Sequence, residues 1–190
     1  VHLVAHDWGA AAAWQYAAAH PERLASFNPL AVPHGAAFLR ALVSSRQFFR
    51  SYYMYLFQLP AVPERLLVGG DGTQWRRLST LLQTTHQSKE RADRDAKAMA
   101  DSGALHYAIN WYRGIPLSDR RGIDTKVTVP TMFVWSEGDT AIDRKGALAC
   151  GNYVDGPYRF ERLAGSHWML DEQPDVVAEL LLEHVEAYPA

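Results

Sequence analysis

The first 27 residues constrain the fold more than any other stretch. Val1 to Ala5 is an apolar run of strand length, and Ala10 to Ala19 is an alanine-rich stretch that strongly favours helix. His20-Pro21 stops that helix, because proline cannot continue it and restrains the residue before it. Leu24 to Phe27 reads as a second strand, ended by Pro29 and Pro33. Strand, tight turn, helix and strand in so short a span form a βαβ unit, which implies a parallel sheet.

The middle of the chain has a different character. From Gly35 to Asp124 the patterns are helical and no strand stands out. Arg46 to Phe57 is dense in aromatics, Lys89 to Lys97 is a balanced charge run suited to the solvated face of a helix, and Gly69-Gly70-Asp71-Gly72 breaks one helix from the next. The last third returns to α/β: a strand over Val129 to Trp135, a helix over Ala141 to Cys150, a strand over Tyr158 to Leu163, and a helix opened by Pro174. On that last helix Val176, Val177, Leu180, Leu181 and Val185 are expected to share one face. The expected organisation is a sheet-bearing core over residues 1–34 and 125–190, split by a helical cap over 35–124.

Composition removes several classes of function. The 190 residues hold 19 Lys+Arg against 21 Asp+Glu, a formal net charge of −2, so nothing supplies the dense cationic surface that nucleic acid requires. The longest uncharged stretch, Leu24 to Leu39, contains Asn28, Pro29, Pro33 and His34, and does not suit a membrane span. The lone Cys150 forms no internal disulfide and rules out cysteine-based zinc motifs, which fits a reducing, cytoplasmic setting. His2, His20, His86, His106 and His184 show no metal-ligand spacing, the role of His34 is open, and neither metal nor cofactor is expected.

The densest chemical signal is Ala5-His6-Asp7-Trp8-Gly9, which joins a strand to a helix. It has the small-x-nucleophile-x-small form of a nucleophile elbow, with Asp where serine is usual. The turn is sharp, so the residues two places either side of the nucleophile must be small. The helix N-terminus behind Asp7 favours its negative charge. A carboxylate in that place makes an ester with a carbon electrophile. Alternation along the strand is expected to point His6 away. Asp139, in Ser136-Glu137-Gly138-Asp139, and His167, in Ala164-Gly165-Ser166-His167-Trp168, each follow a strand, where open α/β sheets build their sites. The chain order nucleophile, acid, histidine is that of an α/β-hydrolase triad, with Glu137 and Asp143 as rival acids.

With these parts in this order, the chain resembles the α/β-hydrolase superfamily, and within it the soluble epoxide hydrolases. The resemblance covers essentially all of the sequence. The His6-Asp7-Trp8-Gly9 elbow is shared with haloalkane dehalogenases. Asn110-Trp111-Tyr112-Arg113 is similar to an epoxide hydrolase motif whose tyrosine contacts the epoxide oxygen, and Ser51 to Pro60 resembles the segment that carries the second such tyrosine. Matching Phe57-Gln58-x-Pro60 places it at Tyr53, with Tyr52 and Tyr55 as neighbours. The resemblance implies a parallel sheet with a helical cap and a small apolar epoxide as substrate. Asp7 would be the nucleophile and a neutral His167, oriented by Asp139, the base. Tyr53 and Tyr112 would be proton donors, and the backbone N–H of Trp8 an oxyanion donor. Trp8, Met54, Phe57, Leu105 and Trp168 are expected pocket walls.

The family pattern also has several strands before the nucleophile strand and an early HGxP loop that donates a second oxyanion N–H; neither is found in these residues. The expectation is therefore a piece of a longer hydrolase, poorly active or inactive by itself. Two rival readings stand: a haloalkane dehalogenase, with the Trp8 indole donating to halide, and a non-catalytic hydrolase-like module that binds a small ligand. Oligomeric state is not legible.

Overall fold

A computed structural model describes all 190 residues, Val1–Ala190. In chain order the elements are β1 (His2–His6), α1 (Trp8–Ala19), β2 (Ser26–Leu30), α2 (Gly35–Ser44), α3 (Gln47–Arg50), α4 (Tyr52–Leu56), α5 (Val62–Val68), α6 (Arg76–Thr84), α7 (Lys89–Asp101) and α8 (Ala104–Gly114). Then come β3 (Thr131–Ser136), α9 (Arg144–Leu148), β4 (Tyr158–Leu163), α10 (Met169–Glu172) and α11 (Pro174–Ala187). They divide into two compact units, one of Val1–Arg50 and Arg121–Ala190, the other of Ser51–Arg120.

The first unit is built on a four-stranded parallel sheet in the order β1-β2-β3-β4. Both faces carry helices over β2, β3 and β4, while β1 at the edge has no fully buried residue and exposes Val4. On one face α1 sets Ala13, Trp14 and Ala17 among Phe27, Phe133 and Trp135. Trp14 is fully buried, stands edge-on to Phe27 at 4.8 Å, and donates its indole N–H to the Val32 carbonyl at 3.0 Å. On the other face Leu30, Met132 and Val134 meet Met169 and the α11 residues Val177, Leu180 and Leu181.

Several expectations shift by a physical cause. β2 does not end before Pro29 but runs through it, with Pro29 beside Ala5. Phe27 N–H donates to Pro130 and Ala31 N–H to Val134, so the missing proline N–H interrupts the ladder to β3 at one rung between two intact ones. The helix expected over 141–150 is shorter. Asp143 accepts the Lys145 N–H at 2.9 Å and starts α9 there, and a 3₁₀ turn takes over at Cys150–Tyr153. On α11 Val176 is exposed, and His184 takes a place on the buried face, donating from Nδ1 to Asn28 Oδ1 at 2.8 Å.

The boundary of the helical insertion differs most. Residues 35–50, expected in the cap, belong to the sheet-bearing unit, as do 121–124. Helix α2 carries Ala36, Ala37 and Ala41, whose small side chains let α9 approach until a Cβ on Gly146 would lie 3.3 Å from Ala41 Cβ. Gln47 then bonds Ala141 and Asp143 at 2.7 Å each.

The second unit is wholly helical. Its core gathers Val68, Leu78, Ala96, Leu105 and Ile109 from α5 to α8. The charge run of α7 faces solvent, with Lys89–Asp93 and Lys97–Asp101 pairs and buried alanines at 92 and 96. Gly69 and Gly72 bracket the break before α6 in left-handed conformations. Arg113 binds both oxygens of Glu64, at 2.7 and 3.0 Å, and the Leu59 carbonyl at 2.7 Å. This guanidinium holds the Glu64 carboxyl down at about 2, against an ordinary 4.5. A depressed carboxyl stabilises the fold fully above its unfolded range near 4.5 and loses that contribution as pH falls toward about 2. Glu64→Gln is expected to destabilise the protein by about 2 kcal/mol at pH 7. It should also flatten the acid slope in that window, as read by urea denaturation at stepped pH.

Candidate active site

At the C-terminal end of β1 the backbone turns at Asp7 with φ 51° and ψ −125°, outside the regions a non-glycine residue prefers, and α1 starts at the next residue. Gly9 lies close enough to Ala5 that a Cβ there would sit 3.9 Å from the alanine methyl, which leaves room for little more. The strain and the close return of the chain put the Asp7 carboxylate in front of the first turn of α1. The Trp8 N–H bonds that carboxylate.

The loops after β3 and β4 bring the other two groups to it. Asp139 is buried, with one oxygen accepting the N–H groups of Ala141 and Ile142 at 2.8 and 2.9 Å. Its other oxygen accepts from His167 Nδ1 at 2.8 Å, and His167 Nε2 lies 3.1 Å from Asp7 Oδ1. The rival acids are elsewhere: Glu137 pairs with Arg162 at the surface, and Asp143 caps α9. The two loops are laced backbone to backbone. Glu137 N–H donates to Leu163 and Gly138 N–H to Gly165, and a Cβ on Gly138 would stand 2.5 Å from the Gly165 oxygen. Only glycine admits that approach.

Burial pulls the His167 pKa down, but the bonded carboxylates of Asp139 and Asp7 outweigh it and hold the imidazole up at about 10. Burial likewise pushes the Asp7 carboxyl up, and the bond to His167 overrides it, leaving Asp7 below the ordinary carboxylate range. Carboxylates on both ring nitrogens favour the protonated imidazole. The neutral histidine expected for the base is the form His167 reaches once one of these carboxylates loses its charge. The Asp7 side chain is 45% exposed against 8% for His167, so the carboxylate is open to an electrophile while the histidine is shielded.

The alpha/beta hydrolase fold family matches residues 1–174. The chain belongs to that family. Its hydrolase-fold relatives include Epoxide hydrolase 4 of Mus musculus, 31% identical over 94% of this chain and 52% of that protein, and Epoxide hydrolase 3 of Xenopus tropicalis, 30% identical over 97% and 52%. The chain spans about half the length of these curated relatives. Among solved structures, an epoxide hydrolase from Bacillus megaterium in complex with an inhibitor superposes with a TM-score of 0.76. That likeness spans 97% of this chain and 69% of that one, at 22% identity, and bears on the fold.

Within the hydrolase fold, Asp7, Trp8, Asp139 and His167 come together in the sheet-bearing unit. Tyr53 and Tyr112 lie in the helical unit and meet there, rings edge-on at 5.6 Å, with Phe57 5.7 Å from the first and 5.0 Å from the second. Gln58 fixes this group by donating from Nε2 to the Tyr112 carbonyl at 2.8 Å and the Met54 carbonyl at 3.2 Å. Of the expected pocket walls, Trp168 is half-buried with its ring 5.7 Å from that of His167, and Met54 is half-buried on α4. Leu105 is buried in the core of the helical unit, packed with Val68, Leu78, Ala96 and Ile109.

His6, expected to point away, turns its ring toward the histidine loop. Its ring stands 4.9 Å from that of His167, and Nε2–H donates to the His167 carbonyl at 3.0 Å. Burial and the charge of His167 lower its pKa, which favours a neutral ring. Arg50 bonds the Asp139 carbonyl, and Ser166 and Glu172 brace the histidine loop. No spacing rule points to His6, but an acid in the turn after Gly-Ser-His was a usable sign for Glu172. No helix is long and apolar enough to cross a membrane.

Proposed function

We propose that this chain carries the catalytic core of an epoxide hydrolase, opening an apolar epoxide to a vicinal diol through an ester on Asp7. The observation that carries the reading is the carboxylate at the strained elbow, bonded to a histidine that is itself bonded to a buried carboxylate. The relatives named as epoxide hydrolases support it, and so do the two phenols gathered in the helical unit.

In the first step an Asp7 oxygen attacks an epoxide carbon. The carbon–oxygen bond breaks, and its electron pair stays on the ring oxygen. That oxygen would be a poor leaving group as a bare alkoxide. Tyr53 and Tyr112 donate hydrogen bonds to it from their phenol O–H groups, and one gives up a proton. Esterification removes one of the two anions that hold His167 protonated. Its proton is released through solvent to restore the phenol, and the imidazole becomes a base at the moment a base is needed.

In the second step His167 takes a proton from water, and the water oxygen attacks the Asp7 carboxyl carbon. The Trp8 N–H stabilises the resulting oxyanion. Collapse expels the diol as an alkoxide, which takes the proton of the new carboxyl group, and the resting pair of Asp7 carboxylate and His167 imidazolium is restored. In this reading the helical unit supplies the phenols.

Incubation with styrene oxide tests the proposal by the diol formed and the ester found on Asp7. Tyr53→Phe and Tyr112→Phe are each expected to slow ester formation by roughly 10²–10³-fold. Ester and halide from a haloalkane, with none from an epoxide, would favour the dehalogenase. No adduct from either would favour a binding module.

A further inference from the structure

We infer that Glu172 is a positioning residue that fixes the backbone of the His167 loop. The inference rests on the proposed function for its kinetic consequence, and on geometry alone for the rest. Ser166 is buried, and both its donors end on one carboxylate: the N–H bonds Glu172 Oε2 at 2.8 Å and the hydroxyl bonds Glu172 Oε1 at 2.6 Å. The Ser166 hydroxyl oxygen in turn accepts the Trp168 N–H at 3.2 Å. Ser166, before His167, is therefore tied directly to Glu172, six places along at the end of α10, and Trp168, after it, is tied through the Ser166 hydroxyl.

Gly165 shows how close the brace comes. It adopts φ +109°, and a Cβ there would lie 2.6 Å from Glu172 Oε2 and 2.8 Å from Gln173 Nε2. Gln173 holds the Ala164 carbonyl from the same side. From the opposite side the Gly165 carbonyl accepts the Gly138 N–H of the acid loop. The histidine loop is thus gripped between the acid loop and Glu172, and this grip sets the 2.8 Å bond from His167 to Asp139. Without the carboxylate, two buried donors of Ser166 lose their partner and the loop relaxes toward one that satisfies them.

The consequence is selective. Attack by Asp7 needs an ionised carboxylate and does not use His167 as a base. Hydrolysis of the ester needs His167 aimed at water, and a misplacement of about 1 Å costs on the order of 10²-fold. Glu172→Ala is expected to leave ester formation within about twofold while slowing ester hydrolysis by roughly 10–10²-fold. It should also shift or abolish the downfield proton resonance of His167 Nδ1–H. Glu172→Gln, which keeps one acceptor, should recover part of both, and Ser166→Ala should lose part of both. These two variants carry the test if Glu172→Ala does not fold. Equal loss in the two steps, or an unmoved resonance with unchanged hydrolysis, would overturn the assignment. If the parent chain forms no ester, the proposed function fails, and the resonance alone then decides the role of Glu172.

Discussion

His167→Ala is expected to trap the Asp7 ester and slow its hydrolysis by roughly 10³–10⁴-fold. The first step has no use for the imidazole as a base, so one equivalent of epoxide should still be consumed and retained as a mass increase on the peptide containing Asp7. The measurement is intact-mass and peptide spectrometry across a time course, which counts covalent adduct even where turnover is slow. A variant that formed no adduct, beside a parent that did, would place His167 in the first step and break the division of labour between the two groups.

Asp7→Asn should remove both the ester and the diol, lowering single-turnover rates by roughly 10⁴–10⁶-fold. It should also change the proton on His167. The imidazole sits at about 10 because two carboxylates bond it against the pull of burial. With one of them neutral its pKa is expected to fall by roughly 1–3 pH units, read by nitrogen-15 resonances of the ring. A raised histidine pKa contributes fully below its unfolded value of 6.5 and is lost as pH rises through about 10. The parent should therefore lose stability at the alkaline end of that window, and Asp7→Asn should lose it at lower pH. The same variant imitates, in charge, the ester that Asp7 forms, so the fall in pKa would show directly that using up the nucleophile frees the base.

The sequence was most informative where local rules act alone. The elbow was legible because a sharp turn demands small residues at 5 and 9, and the βαβ opening because alanine and proline mark helix and stop. Asp139 and His167 were legible because they follow strand ends, and in the structure their side chains do meet Asp7. What escaped depends on contacts far apart in the chain. The small face of α2 says that it packs tightly but not on which unit, so the insertion was drawn too wide. Pro29 inside β2 is tolerated only because neighbouring rungs to β3 survive. The charge state of His167 needs two carboxylates 132 residues apart in the chain, and the His6 ring enters the site by bonding the backbone carbonyl of His167.

A single turnover in water enriched in oxygen-18 tests the central claim most directly. If Asp7 carries the substrate, the first diol released takes its new oxygen from the carboxylate and is unlabelled, while the peptide containing Asp7 gains one heavy oxygen. A labelled diol from an unlabelled Asp7 would mean that water attacks the epoxide itself, and the carboxylate would not be a nucleophile.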